Sequence, residues 1–162
     1  ALFRLASLDA AHDRAAFRSD SEPLNRYLQE QATQDIRRRV AACFVALADG
    51  QRIAGYYTLA SASLMLADLP ASIGKKLPRY PTVPAVRMGR LAIDQAFAGQ
   101  GLCGALLADA LDRAARSEIG AFALTVDAMD EAAGAFYRHH GFIALPDSPL
   151  TLFLPLATVR RS

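Results

Sequence analysis

The chain has 162 residues, of which 52% are hydrophobic and 21% charged, a composition typical of one folded domain and unlike that of a disordered chain. No stretch approaches the ~20 apolar residues of a membrane-spanning helix, and no secretory signal is visible at the start. Cys43 and Cys103, like the three histidines, lack the spacing of a disulfide framework or a metal site. We therefore expect a cytoplasmic protein with a single domain over residues 1–162.

The net charge of +2 is unevenly distributed along the chain. Residues 1–93 carry 13 basic and 8 acidic side chains, whereas residues 94–162 carry 5 basic and 8 acidic ones. Residues 69–93 contain no carboxylate, and Arg37, Arg38 and Arg39 form a separate basic run. Such a field attracts phosphate-rich partners, and a guanidinium can hold phosphate through two hydrogen bonds. The alternative is a solvated surface whose acidic partners lie elsewhere in the sequence.

Three strands and one helix are predicted in the first 61 residues. The helix begins at Ser21, because Ser can cap a helix and Pro23 tolerates an early helical position. Its apolar side chains recur every four residues: Leu24, Leu28, Ala32 and Ile36. The strands are apolar runs rich in β-formers: Leu2–Leu5, Val40–Ala48 and Ile53–Ser61. The turn signal around Gly50 joins the last two into a hairpin.

Residues 62–84 contain four prolines and side chains of mixed polarity. This pattern predicts a long irregular connection with one helical turn. Connections of that length inside a compact domain are often functional.

The second half of the chain shows a more regular pattern. The predicted strands are Val86–Ile93, Ala121–Val126, Phe142–Leu145 and Thr151–Leu156. One helix begins at Leu102 and is closed by Gly120, and a second is capped by Asp130 and stopped by Gly141. The order β, α, β-β, β, α, β, α, β-β indicates a mixed α/β (α+β) fold with helices on the faces of a sheet.

A glycine-rich turn between strand Val86–Ile93 and the following helix is the feature that carries chemistry. Backbone N–H groups converge at such a turn, and the helix N-terminus adds positive charge, so the turn can bind a pyrophosphate. Gly99, Gly101 and Gly104 satisfy the bare G-x-G-x-x-G spacing. However, no carboxylate follows at the distance of a ribose ligand, and the preceding strands do not alternate with helices, which argues against a dinucleotide-binding fold. A simple tight turn remains the alternative for the glycines alone.

Two segments, GRLAIDQAFAGQGLCGALLADAL and AMDEAAGAFYRHHGF, resemble the acetyl-CoA motif and the second signature of the Gcn5-related N-acetyltransferases (GNAT). Three more resemble the TacT toxins, which pair with ribbon-helix-helix antitoxins: FRSDSEPLNRYLQEQATQDIRRRVAACFVA, AGYYTLASASL and RYPTVPAVRMGRLAI. The resemblance covers nearly the whole chain. It implies the GNAT fold, with a central mixed, mostly antiparallel sheet of six or seven strands flanked by helices. It also implies acetyl-CoA as acetyl donor, no metal, no membrane and a ribbon-helix-helix antitoxin, and we expect a homodimer.

The same resemblance assigns a cofactor site. The pyrophosphate loop of the family reads Gln/Arg-x-x-Gly-x-Gly/Ala, and this chain has Ala at the first position and Cys at the last. Backbone N–H groups make most of the contacts with the pyrophosphate, so these departures from the family pattern do not require a loss of acetyl-CoA binding. We interpret the cysteine as a small filler rather than a nucleophile. The implied cofactor-binding residues are Leu91, Ala92, Ile93, Ala98, Gly99, Gln100, Gly101, Leu102, Cys103, Gly104, Asp130, Ala133 and Phe136.

Tyr137 matches the tyrosine that the family places beside the thioester sulfur. Its phenol, with a pKa near ~10, can protonate the departing thiolate as a general acid. The alternative is that Tyr137 only packs its helix against the sheet.

The carboxylate-free segment 69–93 lacks the glutamate base that many of these acetyltransferases carry on the central strand. A lysine amine, with a pKa of ~10.4, would need such a base, whereas an α-amine, at ~7.7–8.0, is already partly neutral. Esterification of the adjacent carboxyl lowers the pKa of the α-amine further, so an aminoacyl ester on tRNA fits a site without a base.

These observations predict a toxin that acetylates the α-amine of aminoacyl-tRNA and so blocks translation. The candidate phosphate contacts are Arg37, Arg38, Arg39, Lys75, Lys76, Arg79, Arg87 and Arg90. One alternative is an N-acetyltransferase of protein N-termini or small-molecule amines, which shares the cofactor site but not the salt dependence. Another is a weakly catalytic acyl-CoA-binding partner of a DNA-bound antitoxin, which the altered loop favours and Tyr137 opposes.

Overall fold

The computed structural model describes residues 3–159, and within them seven strands form one sheet in the order β1-β2-β3-β4-β5-β7-β6. The strands are β1 Arg4–Ser7, β2 Ala42–Leu47, β3 Ile53–Met65, β4 Thr82–Ile93, β5 Ala123–Asp127, β6 Ile143–Leu145 and β7 Ser148–Pro155. The pairs β1–β2, β2–β3, β5–β7 and β6–β7 are antiparallel. The helices are α1 Glu22–Arg26, α2 Ala32–Arg37, α3 Ala71–Gly74, α4 Leu102–Arg116 and α5 Glu131–His139. The predicted fold class, a mostly antiparallel sheet with helices, is confirmed.

The chain forms two compact units, each with its own apolar core. The first unit runs to Ala60 and resumes with Met88–Ala110, and the second comprises Ser61–Arg87 and the residues from Leu111 onward. The core of the first unit includes Phe17, Leu28, Val45, Leu47, Ile53 and Tyr56. The core of the second unit includes Leu64, Leu69, Val83, Ala85, Ala123, Leu145 and Phe153. The core of the first unit draws mainly on apolar runs that the sequence predicts as strands. In the second unit, Leu64, Leu69 and Val83 come from the segment predicted as an irregular connection.

The first helical segment contains a π-helical turn, Tyr27–Gln31, between α1 and α2. The predicted cap is confirmed, because the Ser21 side chain accepts a hydrogen bond from the backbone N–H of Leu24. Steps of four residues drift by about 40° each around a helix of about 3.6 residues per turn. The wider π turn keeps Leu28 and Ala32 buried, whereas Ile36, the last residue of the row, is 37% exposed.

The hairpin between β2 and β3 is confirmed. The two longest strands, β3 and β4, exceed their predicted lengths. β3 continues to Met65 rather than ending at Ser61, and β4 begins at Thr82 rather than Val86. Pro84 is tolerated in β4 because its exposed position alternates with the buried side chains of Val83 and Ala85. The predicted irregular connection over 62–84 is therefore limited to residues 66–81, which include a 3₁₀ turn and the single helical turn α3.

Several predicted boundaries were wrong. β1 begins at Arg4, and Leu2 of the predicted strand lies outside the described residues. Gly120 does not close α4, which ends four residues earlier, and β5 starts at Ala123. The last strand, β7, begins three residues before Thr151, since it extends as the partner of β5 and β6.

Candidate functional site

The glycine turn lies between the end of β4 and the start of α4, as the sequence predicts. Gly99 and Gly101 have φ angles of 79° and 76°, in the left-handed region that favours glycine. A Cβ atom added at either residue would meet nothing within 4 Å. The backbone conformation therefore favours glycine, and the space beside the loop is open to a ligand. Since the first N–H groups of a helix lack intrahelical acceptors, the start of α4 can bind an anion there.

Asp94 fixes the start of this loop, a role that the sequence analysis missed. Its side chain is 4% exposed. One carboxylate oxygen accepts from the backbone N–H of Ala96 at 2.8 Å, and the other accepts from the N–H of Arg18 at 2.9 Å. The Asp94 N–H donates to the carbonyl of Ala54 in β3. A capping residue immediately after a buried strand was the signal that could have identified it.

Arg52, in the turn between β2 and β3, braces the same loop. Its guanidinium lies 3.8 Å from an Asp94 carboxylate oxygen and 4.9 Å from the centre of the Phe97 ring. Phe97 in turn contacts the edge of Phe3, with ring centres 5.8 Å apart. The loop is thus held by charge and ring contacts with Arg52 and Phe3.

The end of β4, which leads into the loop, packs closely against Gly55 of β3. A Cβ atom there would lie 2.9 Å from the Ile93 Cδ1, 3.0 Å from the Leu106 Cδ1 and 3.1 Å from the carbonyl oxygen of Ala92. A larger residue at this position would force the Ile93 and Leu106 side chains to shift, so glycine favours this packing of β3 against the end of β4 and against α4.

The predicted cofactor residues of the first unit lie in three successive segments of the chain. They are the end of β4 (Leu91, Ala92, Ile93), the loop (Ala98, Gly99, Gln100, Gly101) and the first turn of α4 (Leu102, Cys103, Gly104). Burial raises the pKa of the Cys103 thiol, so the reactive thiolate form is disfavoured, in line with its interpretation as a filler.

The other predicted cofactor residues and Tyr137 belong to α5 in the second unit. Asp130 is the N-cap of this helix, and its carboxylate accepts from the N–H of Ala133 at 2.9 Å. Phe136 is half-buried and packs on His140, with ring centres 4.7 Å apart. The predicted start of α5 is confirmed.

The end of α5 orients Tyr137. Gly141, with a φ of 93°, turns the chain so that the Phe142 N–H donates to the Tyr137 carbonyl at 3.1 Å and the Gly141 N–H donates to the Arg138 carbonyl. This pair of bonds is a Schellman motif, with glycine at its left-handed position. The rings of Tyr137 and Phe142 lie 5.5 Å apart, and Tyr137 is 8% exposed. The turn thereby fixes the position of the phenol-bearing residue.

The basic residues divide between the units. Arg37, Arg38 and Arg39 are exposed at the end of α2 in the first unit, which also contains Arg90 on β4. Lys75, Lys76 and Arg79 are exposed on the connection between β3 and β4 in the second unit, which also contains Arg87. The Arg87 guanidinium lies 3.6 Å from the carboxylate of Asp127, so its charge is partly balanced.

Arg90 has a defined partner in the first unit. Its guanidinium stacks over the Tyr27 ring at 3.6 Å, and the Tyr27 hydroxyl donates to the Asp35 carboxylate at 2.7 Å. Hydrogen bonds from Gln31 and Tyr27 hold the pKa of Asp35 below its ordinary value, and the charges of Arg90 and Arg38 add to the effect. Burial raises the pKa of Tyr27, which stays a neutral donor. The π-helical turn places Tyr27 here, and the sequence analysis did not single it out.

Arg39 is the one described non-glycine residue with a positive φ, at 61°. It lies at the left-handed position of a second Schellman motif, in which the Val40 N–H donates to the Asp35 carbonyl and the Arg39 N–H donates to the Ile36 carbonyl. Gly141 has the same position after α5. An arginine is thus held in a backbone conformation that normally selects glycine.

Within residues 3–159, no three His, Cys, Asp or Glu side chains are grouped so that they could hold a metal ion. None of the helices in that part of the chain has the length and hydropathy of a membrane span.

Comparison with known proteins gives a family and several relatives. Residues 6–142 match the acetyltransferase (GNAT) family. A tRNA-acetylating toxin of Mycobacterium tuberculosis is 37% identical over 152 residues, which cover 93% of this chain and 90% of that protein. A probable toxin TacT of Sinorhizobium fredii is 32% identical over 159 residues, covering 92% and 88% of the two chains.

Solved structures of toxins share the fold. AtaT complexed with acetyl-methionyl-tRNAfMet superposes with a TM-score of 0.91 and 32% identity, covering 97% of this chain and 96% of that one. A tyrosine-to-phenylalanine mutant of AtaT, bound to the C-terminus of the antitoxin AtaR and acetyl-CoA, gives a TM-score of 0.81 and 27% identity, covering 98% and 96%.

Proposed function

Because the chain belongs to the acetyltransferase (GNAT) family, we propose that it is a toxin that transfers acetyl from acetyl-CoA to the α-amine of aminoacyl-tRNA. It is an acetyl-CoA-dependent N-acetyltransferase with the GNAT fold, as its sequence motifs predict. The main support for aminoacyl-tRNA as the substrate is the 37% identity to a tRNA-acetylating toxin over 93% of the chain. Acetylation turns the α-amine into an amide that cannot act as a nucleophile, so the modified tRNA is lost to peptide elongation.

The loop and the end of β4 hold acetyl-CoA in this proposal. The open space beside Gly99 and Gly101 and the N–H groups at the start of α4 fit a pyrophosphate. Leu91, Ala92 and Ile93 offer backbone groups to the pantetheine arm. Asp130, Ala133 and Phe136 on α5 are the remaining residues that we propose for cofactor binding. The bound cosubstrate supplies the acetyl group as a thioester.

Tyr137 acts as the general acid. The α-amine attacks the thioester carbonyl, the C–S bond breaks, and the Tyr137 hydroxyl gives its proton to the thiolate sulfur. The nitrogen releases one proton to water as the amide forms, and the tyrosinate regains one. An α-amine of ordinary or lowered pKa is partly neutral at neutral pH without a carboxylate base, which fits the carboxylate-free segment 69–93.

Arginines and lysines hold the tRNA backbone in this proposal. The proposed phosphate contacts are Arg37, Arg38, Arg39, Lys75, Lys76, Arg79, Arg87 and Arg90. We further propose a homodimer, a ribbon-helix-helix antitoxin as the neutralising partner, and the cytoplasm, where charged tRNA is consumed, as the site of action.

Incubation with labelled acetyl-CoA and total charged tRNA tests this function. We expect label on the α-amines of a subset of aminoacyl-tRNAs, identified by mass spectrometry after hydrolysis of the ester. Label found only on protein N-termini or small amines would replace this substrate with the first alternative. Binding of acetyl-CoA without any transfer would indicate an acyl-CoA-binding partner of the antitoxin.

A further inference from the structure

The connection between β3 and β4 encloses an apolar groove within residues 65–81. Its volume is about 720 Å³, within the range of ~300–1,000 Å³ for pockets that enclose small molecules. Leu66, Leu69 and Ala71 are among its apolar lining, and the polar side chains that border it are Lys75, Arg79 and Tyr80.

The groove is preformed. Leu69, 5% exposed, belongs to the core of the second unit and anchors the groove on it. The Leu66 N–H donates to the Pro81 carbonyl at 3.0 Å and so ties the two ends of the connection together. Prolines at 70, 78 and 81 restrict the backbone between them. These restraints limit the affinity that a ligand loses to ordering the connection.

The rim of the groove combines an exposed aromatic ring with positive charge. Tyr80 is 70% exposed, and Met65 is 50% exposed. Lys75 and Arg79 are exposed, and no carboxylate occurs from Leu69 to Ile93. Asp68, also exposed, is adjacent in sequence but does not line the groove. The local field thus favours an anion next to a flat aromatic face.

These features favour a nucleotide over a protein segment. Lysine is depleted at the buried centres of protein–protein interfaces, whereas Lys75 lines this groove itself. An aromatic ring beside cations is the arrangement that binds unpaired nucleotides, because bases stack on the ring while phosphates meet the charges.

We infer that the groove receives an unpaired nucleotide from the 3′ end of the substrate tRNA, with its base stacked on Tyr80 and its phosphates contacting Lys75 and Arg79. The inference rests on the proposed function, because the unpaired 3′ end is the part of aminoacyl-tRNA that carries the reactive amine. It adds an assignment of Tyr80 as a stacking residue, distinct from the phosphate contacts.

The test compares uncharged tRNA with the same tRNA trimmed of its unpaired 3′ nucleotides, using the full chain and measuring binding. Tyr80→Ala should weaken binding of intact tRNA by roughly 5- to 150-fold, the loss expected for one stacked base. The same substitution should leave binding of trimmed tRNA unchanged. Tyr80→Phe keeps the ring and should keep the affinity. Met129→Ala, at an apolar side chain that is 80% exposed and lies outside the groove, is the matched control and should alter neither.

Other outcomes separate the alternatives. An equal loss for intact and trimmed tRNA would overturn the inference, and so would no loss for either. A change in sedimentation with Tyr80→Ala would overturn it in favour of an interface between two copies of the chain. Acetylation of charged tRNA by the wild-type chain is measured in parallel. If the wild type acetylates charged tRNA but Tyr80→Ala does not distinguish the two tRNAs, only the inference fails, whereas absence of acetylation overturns the proposed function.

Discussion

Arg90 stacks over Tyr27 with its Cζ atom 3.6 Å from the ring centre, and the Tyr27 hydroxyl is hydrogen-bonded to Asp35. The contact joins β4 to the π-helical turn and holds the Arg90 guanidinium against the ring. The carboxylate in this group of residues, that of Asp35, is hydrogen-bonded to Tyr27. Tyr27 is therefore a positioning residue for Arg90 in our proposal, since the ring fixes the cation without neutralising it.

Removal of the Tyr27 ring should affect tRNA binding in the same way as removal of the Arg90 charge. We expect Tyr27→Leu to weaken tRNA binding nearly as much as Arg90→Ala, and the double substitution to add little to either single one. Tyr27→Phe keeps the stacking face and should retain most of the affinity. The measurement is a double-mutant cycle of tRNA binding at one salt concentration. Additive losses in the cycle would mean that the stacking does not position Arg90.

Tyr137→Phe should abolish most of the activity while leaving the fold intact. The substitution removes one hydroxyl, and loss of a general acid lowers a rate by about 10²–10⁴-fold. We expect acetyl-CoA binding, measured by calorimetry, to persist and growth inhibition to disappear. Tyr56→Phe is the matched control, because it removes a hydroxyl that only donates to the Leu24 carbonyl. We expect Tyr56→Phe to lower the free energy of unfolding by about 1 kcal/mol and to leave the acetylation rate unchanged. Wild-type speed in Tyr137→Phe would assign Tyr137 to packing alone.

Gly101→Val should reduce acetyl-CoA binding steeply. The residue has a φ of 76° and open space beside it, so a β-branched side chain both strains the backbone and occupies the space for the pyrophosphate. Because the left-handed conformation costs a non-glycine residue about 1–3 kcal/mol, the thermal transition should also fall.

Gly50→Val separates these two effects. Gly50 has a φ of 62°, and a Cβ atom added there would also meet nothing within 4 Å, but the residue lies in the turn between β2 and β3. We expect a similar loss of stability with unchanged cofactor binding. Equal binding losses in the two variants would mean that strain alone, and not the loop, accounts for the effect of Gly101→Val.

The parts of the structure that the sequence predicted are those governed by local physics. The Ser21 and Asp130 caps, the glycine turn and the β2–β3 hairpin follow from side chains and backbone preferences within a few residues. Gly55 and the contact of Asp94 with Arg18 were missed because they depend on partners distant in sequence. Spacing alone could not place those contacts.

Strand β4 shows the same limit. Its start was predicted late because Pro84 is typical of a loop, yet the strand accepts it at an exposed position. The roles of the basic residues depend on which charges oppose them. Arg87 faces Asp127, and Arg90 faces an aromatic ring, which the sequence does not reveal.

His12 should make the free energy of unfolding depend on pH. Burial lowers its pKa from the ordinary value of 6.5, and its Nδ1 accepts a hydrogen bond from the Asp9 N–H at 3.0 Å. Because the unfolded chain binds the proton more tightly, the stabilisation is present above about pH 6.5 and is lost as the pH falls through the lowered pKa.

Denaturant unfolding at pH 7.5 and 5.5 measures this contribution. We expect the wild type to lose more stability between the two pH values than His12→Asn, whose amide oxygen can still accept the hydrogen bond from Asp9. The difference between the two proteins isolates His12 from carboxylates that titrate at lower pH. An identical pH dependence would remove His12 as the cause.

Arg39→Gly should stabilise the protein and weaken tRNA binding at the same time. The residue sits at the left-handed position of a Schellman motif with a φ of 61°, where glycine is favoured by about 1 kcal/mol. The fold thus accepts strain at a residue that we propose contacts phosphate. Loss of one true phosphate contact should reduce the slope of log affinity against log salt concentration by about 0.7–0.9.

Arg37→Ala is the matched control for this pair of effects. It removes the same charge from the same exposed run, at a residue inside α2. We expect a similar change in the salt slope without the gain in stability, because no strained backbone is relieved. The measurements are tRNA affinity across a salt series and chemical denaturation of each variant. A gain in stability with unchanged tRNA affinity in Arg39→Gly would show that the strained arginine does not contact phosphate.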